Sequence, residues 1–137
     1  MSKFELVNPA SLGVPKGWTN GVLAPRDGRL LFVAGQAGWE SAASGEAPLF
    51  AEQFGRALDK ILAVVREAGG SPGDVARLTV FVSDMPAYLE SRRALREVWQ
   101  ARFGTYYPAM ALVAVQGLVD RGAMVEIEAT AVVGGRE

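Results

Sequence analysis

The chain contains no cysteine and no histidine. Their absence excludes disulfides, thiol nucleophiles, imidazole acid–base chemistry and nearly every zinc site. A metal would have to be held by carboxylates alone, and no acidic run has the spacing of a calcium loop. An excess of one charge is lacking too: 14 Lys and Arg against 15 Asp and Glu leave a net charge of −1, with the basic residues dispersed. That is not the electrostatic footprint of a nucleic-acid binder. The one small basic group, Arg92, Arg93 and Arg96, reads as a solvated helix face or a local site. Long apolar runs are missing as well. Nothing approaches the length of a membrane span, and Met1-Ser2-Lys3-Phe4-Glu5 has no signal-peptide core. The expectation is a cytoplasmic protein with neither nucleic-acid nor membrane partners.

The 137 residues are 50% hydrophobic, enough for one domain over 1–137 with a full core. Residues 3–7 read as a short strand closed by Asn8-Pro9, and 15–20 as a loop. Two apolar runs, 21–25 and 30–34, flank Arg26-Asp27-Gly28-Arg29, a hairpin signal. Residues 35–48 are loop by composition. Phe50, Phe54, Ala57, Leu58, Ile61, Val65 and Ala68 repeat at helical spacing, predicting a helix over 49–68 ended by Gly69-Gly70. Ser71-Pro72-Gly73-Asp74 reads as a capped turn. Residues 77–82 alternate as a strand, with Leu78, Val80 and Val82 on one face. Asp84 can cap a second helix, its apolar stripe running through Tyr88, Leu95, Val98 or Trp99, and Phe103 to Gly104. The last strands are 109–115 and 124–133. The order β-β-β-α-β-α-β-β predicts one α+β domain with two helices on one face of a mixed sheet. The other face, carrying Phe81 and Thr79 with either Met110/Leu112 or Ala111/Val113, then predicts a homo-oligomer with its sheets turned inward.

Glu126 and Glu128 stand two residues apart on the last strand, so both point away from its apolar side. Either is an exposed carboxylate without a role or part of a site, and Glu128 also suits a pairing with Arg77 or Arg121.

Five segments in this order and spacing resemble the Rid family, the reactive-intermediate deaminases also called YjgF-like proteins. They are Phe32-Val33-Ala34-Gly35-Gln36, Ala68-Gly69 with Asp74-Val75, Thr79-Val80-Phe81-Val82-Ser83-Asp84-Met85, Tyr107-Pro108-Ala109, and Gly122 through Ala129. The resemblance implies a chorismate-mutase-like fold, a homotrimer around a barrel-like core, and three clefts between subunits that take a small molecule. It further implies cofactor-free hydrolysis of enamines and imines, formed by pyridoxal-phosphate enzymes on Ser or Thr, to keto acids and ammonia. The family's water-orienting Glu matches Glu126. Its cleft aromatic matches Trp18, with Asn20 two residues on. Its carboxylate-binding Arg matches Met110, which has no donor. Its Ser or Thr before Gly-Gln matches Ala34, and Leu112 stands where a small or thiol residue is common.

Gly35 allows either a close backbone approach to a ligand or a bulge. Tyr88 and Arg92 lie on the second helix. Arg92 falls where the family often has a pocket-facing Asn, so its guanidinium could replace the lost clamp; the alternative is a plain surface residue. Three functions stay open: a hydrolase for a more apolar imine, a trimer that binds a metabolite without turnover, and, with less support, an endoribonuclease.

Overall fold

In the computed structural model, which describes residues 2–40 and 45–135, the helical spacing after residue 49 becomes α1 (Phe50–Glu67). Its apolar stripe is buried, with Ala57, Leu58, Ile61 and Val65 fully enclosed. Gly69, at φ 90°, stops it in the left-handed conformation that glycine adopts without strain. The remaining elements are β1 (Glu5–Val7), β2 (Gly21–Leu23), β3 (Arg29–Ala37), β4 (Val75–Val82), α2 (Met85–Glu90), α3 (Arg92–Phe103), β5 (Ala109–Ala114) and β6 (Val125–Val133), with 3₁₀ turns at Ala10–Leu12 and Pro72–Asp74.

The main sheet has four strands in the order β3-β6-β4-β5. Only β4 and β5 run parallel, and α2 and α3 form the crossover that parallel neighbours require. The α+β reading with a mixed sheet therefore holds. The core lies between this sheet and the helices α1 and α3. A fork from Arg102 (Nε to Asp59 Oδ1, 2.8 Å; Nη2 to Asp59 Oδ2, 3.2 Å) ties α3 to α1. The close crossing needs Gly55, where a Cβ would sit 2.9 Å from Arg102 Nη2.

Three expectations need correction. The expected hairpin between β2 and β3 does not form: β2 pairs with β1 in a separate two-stranded sheet, and β3 pairs with β6. The Asp-Gly signal depends on positive φ in a tight turn, and Gly28 is not among the positive-φ glycines. Its small size is used otherwise, since a Cβ there would collide with Val132 Cγ1 at 2.3 Å. A nine-residue partner in β6, which buries Val33, outweighs what a three-residue strand offers β3.

Second, β3 runs past Gly35 to Ala37, so the loop predicted for 35–48 begins later, and residues 41–44 of it lie outside the described residues. A register shift between Val33 and Gln36 marks the bulge. Third, the second predicted helix is two helices, so the described residues hold three α-helices rather than two. Ser91 Oγ donates to the Ala87 carbonyl (2.7 Å), a back-bond that bends helices, and α2 ends there. Asp84 does cap α2, accepting from Ala87 N at 3.0 Å.

Register decides which face each strand residue takes. Leu78 pairs with Met110 and Val80 with Leu112, so Met110 and Leu112 share the helix-covered side. Phe81 pairs with Val113 and with Glu126, so the uncovered face carries the Ala111/Val113 set and both carboxylates. Phe32 adds to it and is 73% exposed. Among the described residues, no helix is long and apolar enough to cross a membrane.

Candidate functional site

Two hollows matter, and the sheet separates them. The first lies on the helix side, between α2, α3 and the edge strand β5, with a volume of about 270 Å³. Helical spacing puts Tyr88, Arg92, Leu95, Arg96 and Trp99 along one stripe that faces it. Its floor is Met110 and Leu112. Because β5 is an edge strand, Met110 stays 40% exposed instead of joining the core as Leu78 does.

The wall of this hollow is rigid. Trp99 is stacked on both sides, on Phe103 (centroids 4.2 Å apart, planes at 12°) and on Tyr107 (5.4 Å, 2°). Its indole N–H donates to the Tyr106 carbonyl at 3.1 Å. Tyr106 is anchored in turn, its hydroxyl donating to the Val75 carbonyl at 2.6 Å. Burial pushes the Tyr106 hydroxyl up to about 12; the negative charge of Asp74 adds to the rise, and a hydrogen bond with Ser2 opposes it. Tyr88 is held edge-on to Phe50 (6.0 Å, 71°). At the mouth, Arg92 Nε donates to the Leu89 carbonyl at 3.2 Å.

The second hollow, about 250 Å³, opens on the uncovered face. It is lined by Glu126, Phe81, Val115, Leu118 and Val119. Glu126 lies over Gly35, where a Cβ would come within 2.4 Å of Glu126 Oε2. Gly35 thus serves a bulge and also a close approach, but the approaching group is the Glu126 side chain. Ala34 is exposed beside it, its carbonyl accepting from Gln36 Nε2 at 3.2 Å. The turn leading into β6 is held by Gln53, which is fully buried. Gln53 Nε2 donates to the Pro48 and Gly122 carbonyls (3.0 and 3.1 Å), and its Oε1 accepts from Met124 N at 2.9 Å.

One chain therefore brings Tyr88, Arg92, Met110 and Leu112 together on one side of the sheet, and Gly35 and Glu126 together on the other. Trp18 is not among the lining residues of either hollow. Its neighbour Gly17 closes one end of the first, while the indole is half exposed and donates to Asn20 Oδ1 at 3.3 Å. Asn20 lines a further hollow with Arg77, Ala109 and Thr130. The sequence offered Arg96 only as part of the basic group with Arg92 and Arg93, and did not single out Trp99 or Tyr107. The signal for Arg96 and Trp99 was there: both continue the helical stripe through Tyr88 and Arg92.

A family model described as endoribonuclease L-PSP matches residues 15–133. A RutC family protein of Pyrococcus abyssi is 33% identical over 106 residues, covering 76% of this chain and 79% of the relative. Among solved structures, the Rid-family protein YyfB of Yersinia pestis superposes with a TM-score of 0.77 at 28% identity, over 96% of this chain and 99% of that one. TdcF of E. coli, solved with bound serine, superposes with a TM-score of 0.63 at 26% identity, over 89% and 92% of the two chains.

Proposed function

The chain belongs to the endoribonuclease L-PSP family, the YjgF/Rid family, and on that premise we propose that it hydrolyses an enamine or imine more apolar than one made from Ser or Thr. The observation that carries this reading is Arg92 lining the same hollow as Met110 and Leu112. An apolar floor receives the substrate side chain, and a guanidinium on α3 replaces the clamp that Met110 cannot provide.

Glu126 supplies the other half. Its carboxylate orients a water and takes a proton from it while the water oxygen attacks the protonated imine carbon. The carbinolamine then receives that proton on nitrogen; as the C–N bond breaks and ammonia leaves, the Glu126 carboxylate takes the hydroxyl proton and the carbonyl forms. An enamine enters the same route by first taking a proton on carbon. Water is the only co-reactant, so no cofactor is called for. Glu126 and Arg92 sit on opposite sides of the sheet within one chain, so the complete cleft is assembled between copies, in a homotrimer. The uncovered, partly apolar face with Phe32 and Val113 supports this assembly. The serine bound to TdcF supports a small amino-acid-like ligand.

The hollow around Glu126 offers Phe81, Val115, Leu118 and Val119 and no cation among its described lining residues. That surrounding suits a small imine better than a polyanionic RNA. A metabolite-binding trimer without turnover is the second reading, and Met110 favours it, since the family's clamp is gone from that position.

Release of ammonia from freshly generated imines, measured against Glu126→Gln, is the test. Turnover that collapses in the variant supports the hydrolase. Equal release by both proteins, at the rate of imine in buffer, rejects it in favour of binding alone.

A further inference from the structure

We propose that the helix-side hollow is specific for aryl-substituted carboxylic acids, with Arg96 as a second guanidinium at its mouth. The inference rests on the reading of Arg92 given above, and it names the class of molecule that site takes.

Size is the first argument. An apolar cavity of about 150 Å³ holds a benzene ring, and this hollow measures about 270 Å³. A ring and a short acid chain fill it, whereas a two- or three-carbon acid would leave most of the apolar floor in contact with water.

Wall chemistry is the second. Tyr107 lies parallel against Trp99, and Trp99 is locked by Phe103 and by its bond to the Tyr106 carbonyl. The wall is ordered before any ligand arrives, so little freedom is lost on binding. Met110 offers a polarisable thioether, which contacts aromatic rings favourably. Its flexible chain lets the floor adjust to a flat group.

Charge is the third. Arg92 and Arg96 stand four residues apart and share one helix face. The hollow's described lining residues include these two cations and no acid. Among the described residues neither guanidinium has a carboxylate partner, in contrast to Arg102 on the same helix, which forks onto Asp59. Two cations beside an apolar slot fit a ligand with an apolar body and an anionic head. A carboxylate can accept from both guanidiniums at once.

Calorimetric titration of the whole protein with 3-phenylpropanoate tests this, with 3-phenylpropanamide as the charge control and propanoate as the size control. The aryl acid should bind at least about tenfold more tightly than either control, as expected of a charge-assisted bond and a buried ring. Arg96→Gln should lose about tenfold for the acid and nothing for the amide, and the unchanged amide shows that the variant pocket is folded. Equal binding of acid and amide, equal binding of propanoate, or no binding overturns the proposal. The probe does not react, so the outcome is separate from that of the hydrolase. Aryl-acid binding without ammonia release sinks the hydrolase alone, and ammonia release from apolar aliphatic imines without aryl-acid binding sinks this inference alone.

Discussion

The hollow at Met110 and the hollow at Glu126 are built on opposite principles. The first borrows its rigidity from the core: stacked rings, a bonded indole and an edge strand paired with the fully buried Leu78 and Val80. The second sits on a face that no helix covers among the described residues, and its one carboxylate is positioned by a bulged strand and a glycine. Cations and apolar floor are on one side, the acid on the other. The difference teaches that strand alternation, which protects the core, also prevents a single chain from joining clamp and acid. A chemistry needing both has to recruit a second copy.

The sharpest way to break this comparison is to remove the acid. Glu126→Gln should lower ammonia release about 10²–10⁴-fold, the usual contribution of a positioned general base, and should not weaken aryl-acid binding, since the guanidiniums that hold the acid are untouched. If binding falls along with turnover, Glu126 helps to hold the ligand and the division of labour between the two hollows fails.

Next comes a paired test of the two faces. Trp99 is 6% exposed and Phe32 is 73% exposed. Trp99→Ala should cost about 3–5 kcal/mol in denaturant unfolding, as large core truncations do. Phe32→Ala should change the stability of the isolated chain by less than about 0.5 kcal/mol, but shift the sedimenting species toward monomer. A Phe32 variant that unfolds readily while keeping its mass would show that this face is part of the core.

Gly35→Ala probes the acid's seat more gently. The added methyl would fall within 2.4 Å of Glu126 Oε2, so the carboxylate must swing aside. A misplacement of about 1 Å costs up to roughly 10²-fold, and the expected loss of turnover is about 10–100-fold with no change in aryl-acid affinity. Full activity in this variant would mean that Glu126 works from another position.

How far these faces were legible in the sequence depends on range. Local signals read correctly: the 3.6-residue spacing of α1, the alternation of Leu78, Val80 and Val82, and the cap by Asp84. Tertiary competition was not legible. Asp27-Gly28 resembles a hairpin turn, but β6 is the longer and better-buried partner for β3. Alternation within β5 was readable from residues 109–114, yet which side met the helices depended on its register with β4, whose paired residues lie 32 positions earlier in the chain. Two sets were therefore equally open until Leu78 was paired with Met110. The site followed the same rule. Glu126 and Met110 could each be singled out in isolation, but their separation by the sheet is a fact about pairing.

The smallest effect concerns pH and sharpens the contrast between a core-built wall and a free face. Tyr106 supports the Met110 hollow through the bond its carbonyl accepts from Trp99, and its hydroxyl is pushed from 10 to about 12, first by burial. A group whose proton is held more tightly in the folded state adds stability that is complete below the unfolded value and disappears as pH rises through the folded one. The part of folding stability that Tyr106 contributes should thus be constant up to about pH 10 and decline from there to about 12. Tyr106→Phe should remove that decline, while giving up the hydrogen bond to the Val75 carbonyl at lower pH, a cost of about 1 kcal/mol. Chemical unfolding followed by circular dichroism at a series of alkaline pH values checks both parts. If the variant and parent lose stability in parallel above pH 10, the alkaline sensitivity lies elsewhere, and the wall of the aryl hollow does not depend on the protonation of its anchoring tyrosine.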